Sequence, residues 1–182
     1  MLYIIAFGVI IVILVSWIIS VQRSFVVLDE NINNAMSQIG VQLSSRWDAL
    51  TSLLDLTKGY ASHEYETMTE TIKARRSITK DSSPGDITKQ ENIIVEAMGK
   101  IMAVAENYPD LKADKTYIKT MDAVNQYENM LRTSRLIYND SVTKLNRAIR
   151  MFPASMIAGI IGFAKRTYLE AVDEKTNMPS MK

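Results

Sequence analysis

The chain opens with an unbroken apolar run, and the residues after it show apolar positions spaced three and four apart. The apolar run covers residues 2–21 and is interrupted only by one Gly and two Ser. Twenty residues of helix are about 30 Å long, which matches the hydrocarbon core of a bilayer. Tyr3 and Trp17 lie near the two ends of the run, where aromatic side chains often mark the membrane interface. We therefore predict a transmembrane anchor over residues 1–22.

A cleaved signal peptide is the alternative interpretation of the apolar run. Such a peptide has a basic segment before a shorter apolar core and a cleavage site of small residues. No Lys or Arg precedes the run here, and the residues after Trp17 contain no such cleavage pattern. We therefore expect the anchor to be retained. Arg23 is the only basic residue close to the run, and this weak positive-inside signal favours a cytoplasmic domain.

Beyond Arg23, apolar or small residues recur at steps of three and four, as on the buried face of an amphipathic helix. The first stripe of such residues extends from Leu28 to Ile72, and Gly59 is the point at which the chain could turn. Without a turn there, residues 24–80 would form one rod about 85 Å long. With a turn at Gly59, which we favour, the predicted helices are 24–58, 62–80, 87–107 and 115–152.

The last predicted helix has the most regular pattern in the chain. Its apolar positions alternate steps of four and three from Tyr117 to Phe152, and such a seam needs partner helices to bury it. Asp114 is a good N-cap for this helix, and Thr88 with Glu91 has capping-box spacing in the helix before it. The predicted fold class is therefore all-α, with an N-terminal transmembrane helix followed by an antiparallel, four-helix-like bundle of long helices.

The composition excludes several kinds of site. The 182 residues include no Cys and a single His, and the formal net charge of the chain is +1. A disulfide scaffold, a zinc ribbon and a thiol nucleophile are excluded by the missing Cys, and near-neutral charge argues against nucleic-acid binding. His63 and Glu64 begin a zincin-like string, but Thr67 stands where the second His would be needed. No metal site and no cofactor are expected.

Residues 141–166 combine basic and apolar side chains and contain no acidic residue. This mixture suits contact with the anionic surface of a cytoplasmic leaflet. A core-packing helix with a solvated basic edge is an equally weighted alternative. The candidate membrane-contact residues are Lys144, Arg147, Arg150, Phe152, Lys165 and Arg166.

Charged residues also occupy positions in the predicted helix seams. Glu128 and Arg135 lie in the seam of the last helix, and Arg46 and Arg75 lie close to the stripes of the earlier ones. A charge in a bundle seam is costly unless it is paired. We predict a structural network of carboxylate and guanidinium groups that fixes the register of the helices. An anion or peptide site in the bundle is the alternative.

Several strings in the chain resemble the LemA family of bacterial membrane proteins. In colinear order over roughly residues 25–170 they are QIGVQL (38–43), KGYASHE (58–64), KAR (73–75), AVAENYPDLK (103–112), YNDSV (138–142), and FP (152–153) followed by IAG (157–159). The resemblance implies a single-pass protein of the bacterial inner membrane with an antiparallel helical domain. One branch of the family serves in magnetosome formation, and the family brings no catalytic activity to this chain. Met36, Gly40 and Thr51 stand where the family commonly has Trp, Asp and Pro, which weakens the transfer of any particular partner surface.

These patterns predict a membrane-anchored helical scaffold or interaction protein that is not an enzyme. The expected domains are the anchor (1–22), a helical bundle domain (23–172) and a polar C-terminal tail (173–182). The expected partners are a lipid bilayer and other membrane or cytoplasmic proteins, including a second copy of the chain. An accessory or sensor subunit that regulates a membrane enzyme such as a protease is the alternative.

Overall fold

The computed structural model describes residues 1–169, with only the backbone for Ser62, His63, Glu64 and Thr67. The tail predicted for residues 173–182 lies outside the described residues. Within the described part, no residue forms a β-strand, and the helices are α1 (Leu2–Thr57), α2 (Ser62–Ile72), α3 (Pro84–Asn107), α4 (Pro109–Ala113), α5 (Lys115–Arg150) and α6 (Ala154–Ile161). The predicted fold class, all-α with long helices packed as a bundle after an N-terminal apolar helix, is confirmed.

Helix α1 contains the apolar run and the first helix of the predicted bundle without a break between them. The residues between them include neither Gly nor Pro, so nothing in the local sequence interrupts the helix. Every residue from 1 to 20 is exposed, and this is the segment long and apolar enough to cross a membrane. The predicted turn near Gly59 is confirmed, since the backbone N–H groups of Tyr60 and Ala61 both donate to the carbonyl of Thr57 at 2.9 Å.

The described chain forms two compact units. The anchor unit consists of Met1–Asn34 with Ile137–Tyr168, and the bundle unit consists of Ala35–Leu136 with Leu169. In the bundle unit, the stripe positions that the sequence predicted form the core. Its largest fully buried side chains are Ile39, Leu43, Trp47, Leu50, Leu53, Ile87, Ile94, Ile101 and Leu111.

The core of the anchor unit is smaller. Phe25 is buried, and its ring stacks on that of Phe163 with the centroids 5.4 Å apart. Val142 and Leu145 of α5 and Ile157 of α6 are buried in the same unit.

The second predicted helix is wrong over its last eight residues, because α2 ends at Ile72 and residues 73–83 are not helical. The buried amide of Gln90 in α3 holds this segment in its irregular course. Its Nε2 donates to the carbonyl of Ala74 at 3.2 Å, and its Oε1 accepts from the backbone N–H of Arg76 at 2.9 Å and from Trp47 Nε1 at 3.2 Å. Hydrogen bonds with Gln90 of α3 thus satisfy two backbone groups that a longer α2 would have paired within the helix.

Helices α3 and α5 each begin with a capping carboxylate. The cap of α5 is the predicted one, and the cap of α3 is not. Helix α3 begins earlier than predicted, because Ser83 and Asp86 form the capping box instead of Thr88 and Glu91. Hydrogen bonds from Ser83 lower the pKa of Asp86. The predicted N-cap at Asp114 is confirmed: its Oδ1 accepts from the backbone N–H groups of residues 116 and 117 at 2.7 and 3.0 Å. These two hydrogen bonds, that of residue 117 first, lower the pKa of Asp114.

Gly40 of α1 packs closely against the backbone of the irregular segment. A Cβ atom at this position would lie 2.5 Å from the carbonyl oxygen of Ile78. That oxygen belongs to the backbone, so it cannot move without displacing the segment. The glycine therefore allows the segment to pack directly on the helix.

We expect Gly40→Ala to destabilise the chain by about 1–3 kcal/mol, the usual cost of overpacking. The displaced segment should also be cleaved faster by trypsin, since it contains Arg75, Arg76 and Lys80. Gly99→Ala is the matched control, because a Cβ there meets nothing within 4 Å and alanine is the better helix former by about 1 kcal/mol. Thermal melts and limited proteolysis of the full chain in detergent check the prediction. Equal melting temperatures and cleavage rates for the two variants would contradict it.

Candidate functional site

Two ion pairs connect three helices of the bundle unit, one of them buried on both sides and the other with Glu128 39% exposed. Arg46 of α1 lies with its Nη2 atom 3.6 Å from Oε2 of Glu128 on α5, and its side chain is only 6% exposed. Arg135 of α5 is hydrogen-bonded to Glu91 of α3, with side chains 14% and 5% exposed. Helix positions that the sequence places far apart are therefore joined by carboxylate–guanidinium contacts.

The two pairs also interact electrostatically. Burial lowers the pKa of the Arg46 guanidinium, and the carboxylates of Glu128 and then Glu91 act in the opposite direction. Arg46 thus lies in the field of both carboxylates. Its buried Nε atom has no hydrogen-bond partner among the described residues. We call Arg46, Glu91, Glu128 and Arg135 the charge network.

The structure brings three of the four predicted network residues together and places Arg75 elsewhere. Arg75 follows the end of α2, lies at the surface, and pairs with Asp48 and Ser44 of α1, each at 2.7 Å. Its position near a stripe depended on a longer second helix, which the chain does not form. The sequence analysis did not assign Glu91 to the charge network, because its spacing from Thr88 suggested a capping box. The better signal was that Glu91 lies three residues before Ile94, in the stripe of α3.

The membrane-contact candidates all belong to the anchor unit. Lys144 pairs with Asp140 one turn before it at 2.7 Å, and Arg166 pairs with Asp29 of α1, from Nη2 to Oδ1, at 2.8 Å. Phe152 is 79% exposed. Arg147, Arg150 and Lys165 are exposed, and within residues 1–169 none of the three has a carboxylate in ion-pair contact.

An open cavity of about 440 Å³ lies beside the last turns of α5. Its lining residues are Thr143, Asn146, Arg147, Arg150, Met151 and Tyr168. Hydrogen bonds with Thr143 and Asn146 lower the pKa of the Tyr168 hydroxyl, and the positive charges of Arg147 and Arg150 act in the same direction. Two guanidinium groups and no carboxylate thus line this cavity.

Three hydrogen bonds hold the chain after α6 against α5. The amide of Asn146 accepts from the backbone N–H of Arg166 and donates to its carbonyl, both at 2.9 Å. The Tyr138 hydroxyl donates to the carbonyl of Thr167 at 3.0 Å. Tyr168 is thus positioned at the cavity by its two preceding residues. Sequence reasoning missed Tyr168, because nothing in its local pattern indicates that the chain folds back.

Helix α6 has one buried face and one exposed face. Ile157 and Ala158 are buried in the anchor unit, whereas Met156 and Ile160 are exposed, the latter by 83%. The helix ends at Gly162, whose φ of +79° lies in the left-handed region that favours glycine. Several large apolar side chains therefore remain uncovered next to the basic cavity.

Among the described side chains, no group of three His, Asp or Glu residues is placed to hold a metal ion. The chemistry that the described residues offer is the binding of anions and of apolar surfaces, by Arg side chains and by uncovered Met, Ile and Phe side chains.

Known proteins share sequence with the chain over most of its length. It is 25% identical to magnetosome protein MamQ 2 of Paramagnetospirillum magneticum, in an alignment that covers 81% of this chain and 64% of that protein. It is 28% identical to protein LemA of Metamycoplasma hominis, with 71% of this chain and 60% of the relative covered. The chain thus spans less than two thirds of the length of these relatives.

A family model also matches most of the chain. The model described as the LemA family matches residues 35–182, which include the whole of α2 to α6 and all four residues of the charge network. The match therefore covers well over half of the chain, and the helical fold agrees with the resemblance seen in its sequence strings. The chain belongs to the LemA family.

Proposed function

We propose that the protein is a membrane-anchored helical scaffold, which holds a packed bundle at a bilayer surface and presents its faces to other proteins. The observation that carries the proposal is the exposed apolar segment of α1, which continues as helix into residues that the bundle unit buries. Twenty exposed apolar residues are stable in a bilayer and costly in water. The rest of the same helix is amphipathic and packs in a core.

The charge network supports a structural role for the bundle unit. Buried ion pairs contribute little net stability but can select one arrangement of helices over others. A surface that recognises partners benefits from such fixed geometry, because little ordering has to accompany binding. Val41, Met130 and Leu136 are exposed apolar side chains of the bundle unit and are candidate contact points.

We further propose that the anchor crosses the bacterial inner membrane once and that the rest of the chain is cytoplasmic. Arg23 alone gives a weak positive-inside signal. The fold adds to it, because the stacking of Phe163 on Phe25 brings Lys165 close to the end of the apolar run. Basic residues distant in sequence thereby join Arg23 on the same side. A compartment-dependent reporter fused after Lys182 tests this orientation.

The name of magnetosome protein MamQ 2 connects that relative with magnetosomes, and this favours a role in membrane organisation. The partners proposed are the lipid bilayer and membrane or cytoplasmic proteins, with a second copy of the chain among them. Neither a nucleic acid nor a cofactor has a part in this function, and no catalysis is proposed.

We expect the full chain to stay in the membrane fraction after washing at high salt and high pH, and a variant lacking residues 2–21 to be released. Cross-linking followed by purification in mild detergent then tests the scaffold role. Assemblies of the chain with itself or with non-enzymatic membrane proteins would support it. A stoichiometric membrane enzyme would instead support an accessory subunit, and release of the full chain by the wash would overturn the anchor.

A further inference from the structure

The basic cavity and the uncovered face of α6 lie in the same compact unit as the apolar segment of α1. We propose that this cavity binds the phosphate-bearing headgroup of an anionic lipid, while α6 and Phe152 enter the interface of the bilayer that α1 crosses. The proposal rests on the proposed anchoring and adds to it a specific lipid ligand. It makes the anchor unit a two-point attachment, one spanning the bilayer and one lying at its surface.

The charges support an anionic ligand. The basic residues of the anchor unit between 141 and 166 are five in number. Lys144 is neutralised by Asp140 and Arg166 by Asp29. Arg147 and Arg150 line the cavity instead, and no carboxylate is among its lining residues. Guanidinium groups bind phosphate with paired, charge-assisted hydrogen bonds, which makes two such groups at one cavity a suitable phosphate site.

The cavity is also pre-organised. Its volume of about 440 Å³ lies within the usual range for small-molecule sites. Asn146 fixes the backbone of Arg166, and the Tyr138 hydroxyl donates to the carbonyl of Thr167. The backbone leading to Tyr168 is therefore already held against α5, so less of the chain has to be ordered when a ligand binds.

The apolar neighbours of the cavity indicate a lipid and not a soluble phosphate compound. Met151 lines the cavity itself, and the exposed side chains of Phe152, Met156 and Ile160 follow within the next nine residues. A helix with basic residues beside one uncovered apolar face is typical of segments that lie in the membrane interface. A soluble anion would leave these side chains in water.

The depth of the unit in the bilayer agrees with this arrangement. Phe25 and Asp29 follow the end of the apolar run by about 6 and 12 Å of helix. The headgroup region begins where the hydrocarbon core ends and is about 5–8 Å thick on each side. Phe163 stacks on Phe25 and Arg166 pairs with Asp29, so the chain directly after α6 lies at the level of the headgroups or just beyond them.

The first test measures which lipids remain bound. The full chain is reconstituted in mixed phosphatidylglycerol and phosphatidylcholine, purified in mild detergent, and its retained lipids are quantified by mass spectrometry. We expect the parent chain to retain phosphatidylglycerol preferentially. Arg147→Gln with Arg150→Gln should reduce this preference about 25-fold, because each basic residue near a membrane surface contributes roughly a factor of five. Lys119→Gln with Arg132→Gln removes the same charge from α5 outside the cavity and should leave the preference unchanged.

The second test measures the position of α6. Because the chain contains no Cys, Ile160→Cys gives a single labelling site for an environment-sensitive fluorophore. We expect lipid-borne quenchers to quench this label more strongly than water-soluble ones in vesicles containing phosphatidylglycerol. The Arg147→Gln, Arg150→Gln background should reverse that order.

The outcomes separate this proposal from the anchoring itself. A chain that remains in the membrane but retains the two lipids equally would overturn the headgroup site and leave the anchor intact. Displacement of the retained lipid by inorganic phosphate alone would also overturn the proposal, since the site would then recognise the free anion. Loss of the chain from the membrane would overturn the anchor.

Discussion

Glu91→Leu is expected to lower the free energy of unfolding by about 3–5 kcal/mol, the loss typical of removing one partner of a buried ion pair. The leucine fills most of the same space, so the loss comes from electrostatics. Arg135 would lose the carboxylate to which it is hydrogen-bonded, and Arg46 would lose the second of the two carboxylates that stabilise its charge. Both guanidinium groups would stay largely out of water.

Urea titration of the detergent-solubilised full chain, followed by Trp47 fluorescence in a Trp17→Phe background, measures this loss. Glu96→Leu is the matched control on the same helix, since Glu96 forms an exposed pair with Lys100 at 2.7 Å that should contribute only about 0.3–0.5 kcal/mol. Adding Arg135→Met to Glu91→Leu should restore much of the lost stability, because an apolar pair replaces the ionic one. If Glu91→Leu costs no more than Glu96→Leu, the charge network does not hold the helices.

Trp47→Ala is expected to cost about 3–5 kcal/mol, as for other large aromatic side chains truncated in a core. The ring is fully buried in the bundle unit, and its Nε1 atom donates to Gln90. The truncation therefore removes packing from α1 and a hydrogen bond that orients the amide holding the irregular segment.

Trp47→Phe separates these two contributions. It keeps most of the ring but removes the N–H donor, while Gln90 keeps its bonds to Ala74 and Arg76. We expect a loss of about 1–2 kcal/mol for this variant. Circular dichroism during urea titration checks both values, and tryptic cleavage after Arg76 reports release of the segment. Equal losses for the two variants would show that packing of the ring contributes little.

The elements that the sequence predicted well are those in which local pattern and packing agree. The apolar run, the seam from Tyr117 and the cap at Asp114 each depend on residues near one another in the chain, and all three are found in the structure. The turn near Gly59 lies where the local helix signal is weakest. Periodicity can locate such features because a helix buries one face in a regular way.

The elements that the sequence predicted poorly depend on contacts between distant residues. The second helix was predicted to reach residue 80, yet it ends at Ile72, because Gln90 binds the backbone of the following segment. Thr88 and Glu91 have acceptable capping spacing, but Ser83 precedes them and Glu91 is needed in the core. The cavity could not be predicted, since Tyr168 reaches it only when the chain folds back along α5.

The buried apolar residues of α3 repeat every seven positions, which by itself leaves the register of the helix open. The polar residues Gln90 and Glu91 beside them select one register. The buried residues Ile87, Ile94 and Ile101 are all isoleucines spaced seven apart. A shift of α3 by two turns along its neighbours would therefore bury nearly the same apolar surface. Gln90 and Glu91 have no counterparts seven residues later, where Ala97 and Met98 stand. If α3 slipped in this way, the amide of Gln90 would lose its hydrogen-bond partners and the carboxylate of Glu91 would lose its contact with Arg135. The apolar residues of α3 determine that this face of the helix is buried. Gln90 and Glu91 determine its axial register against the neighbouring helices.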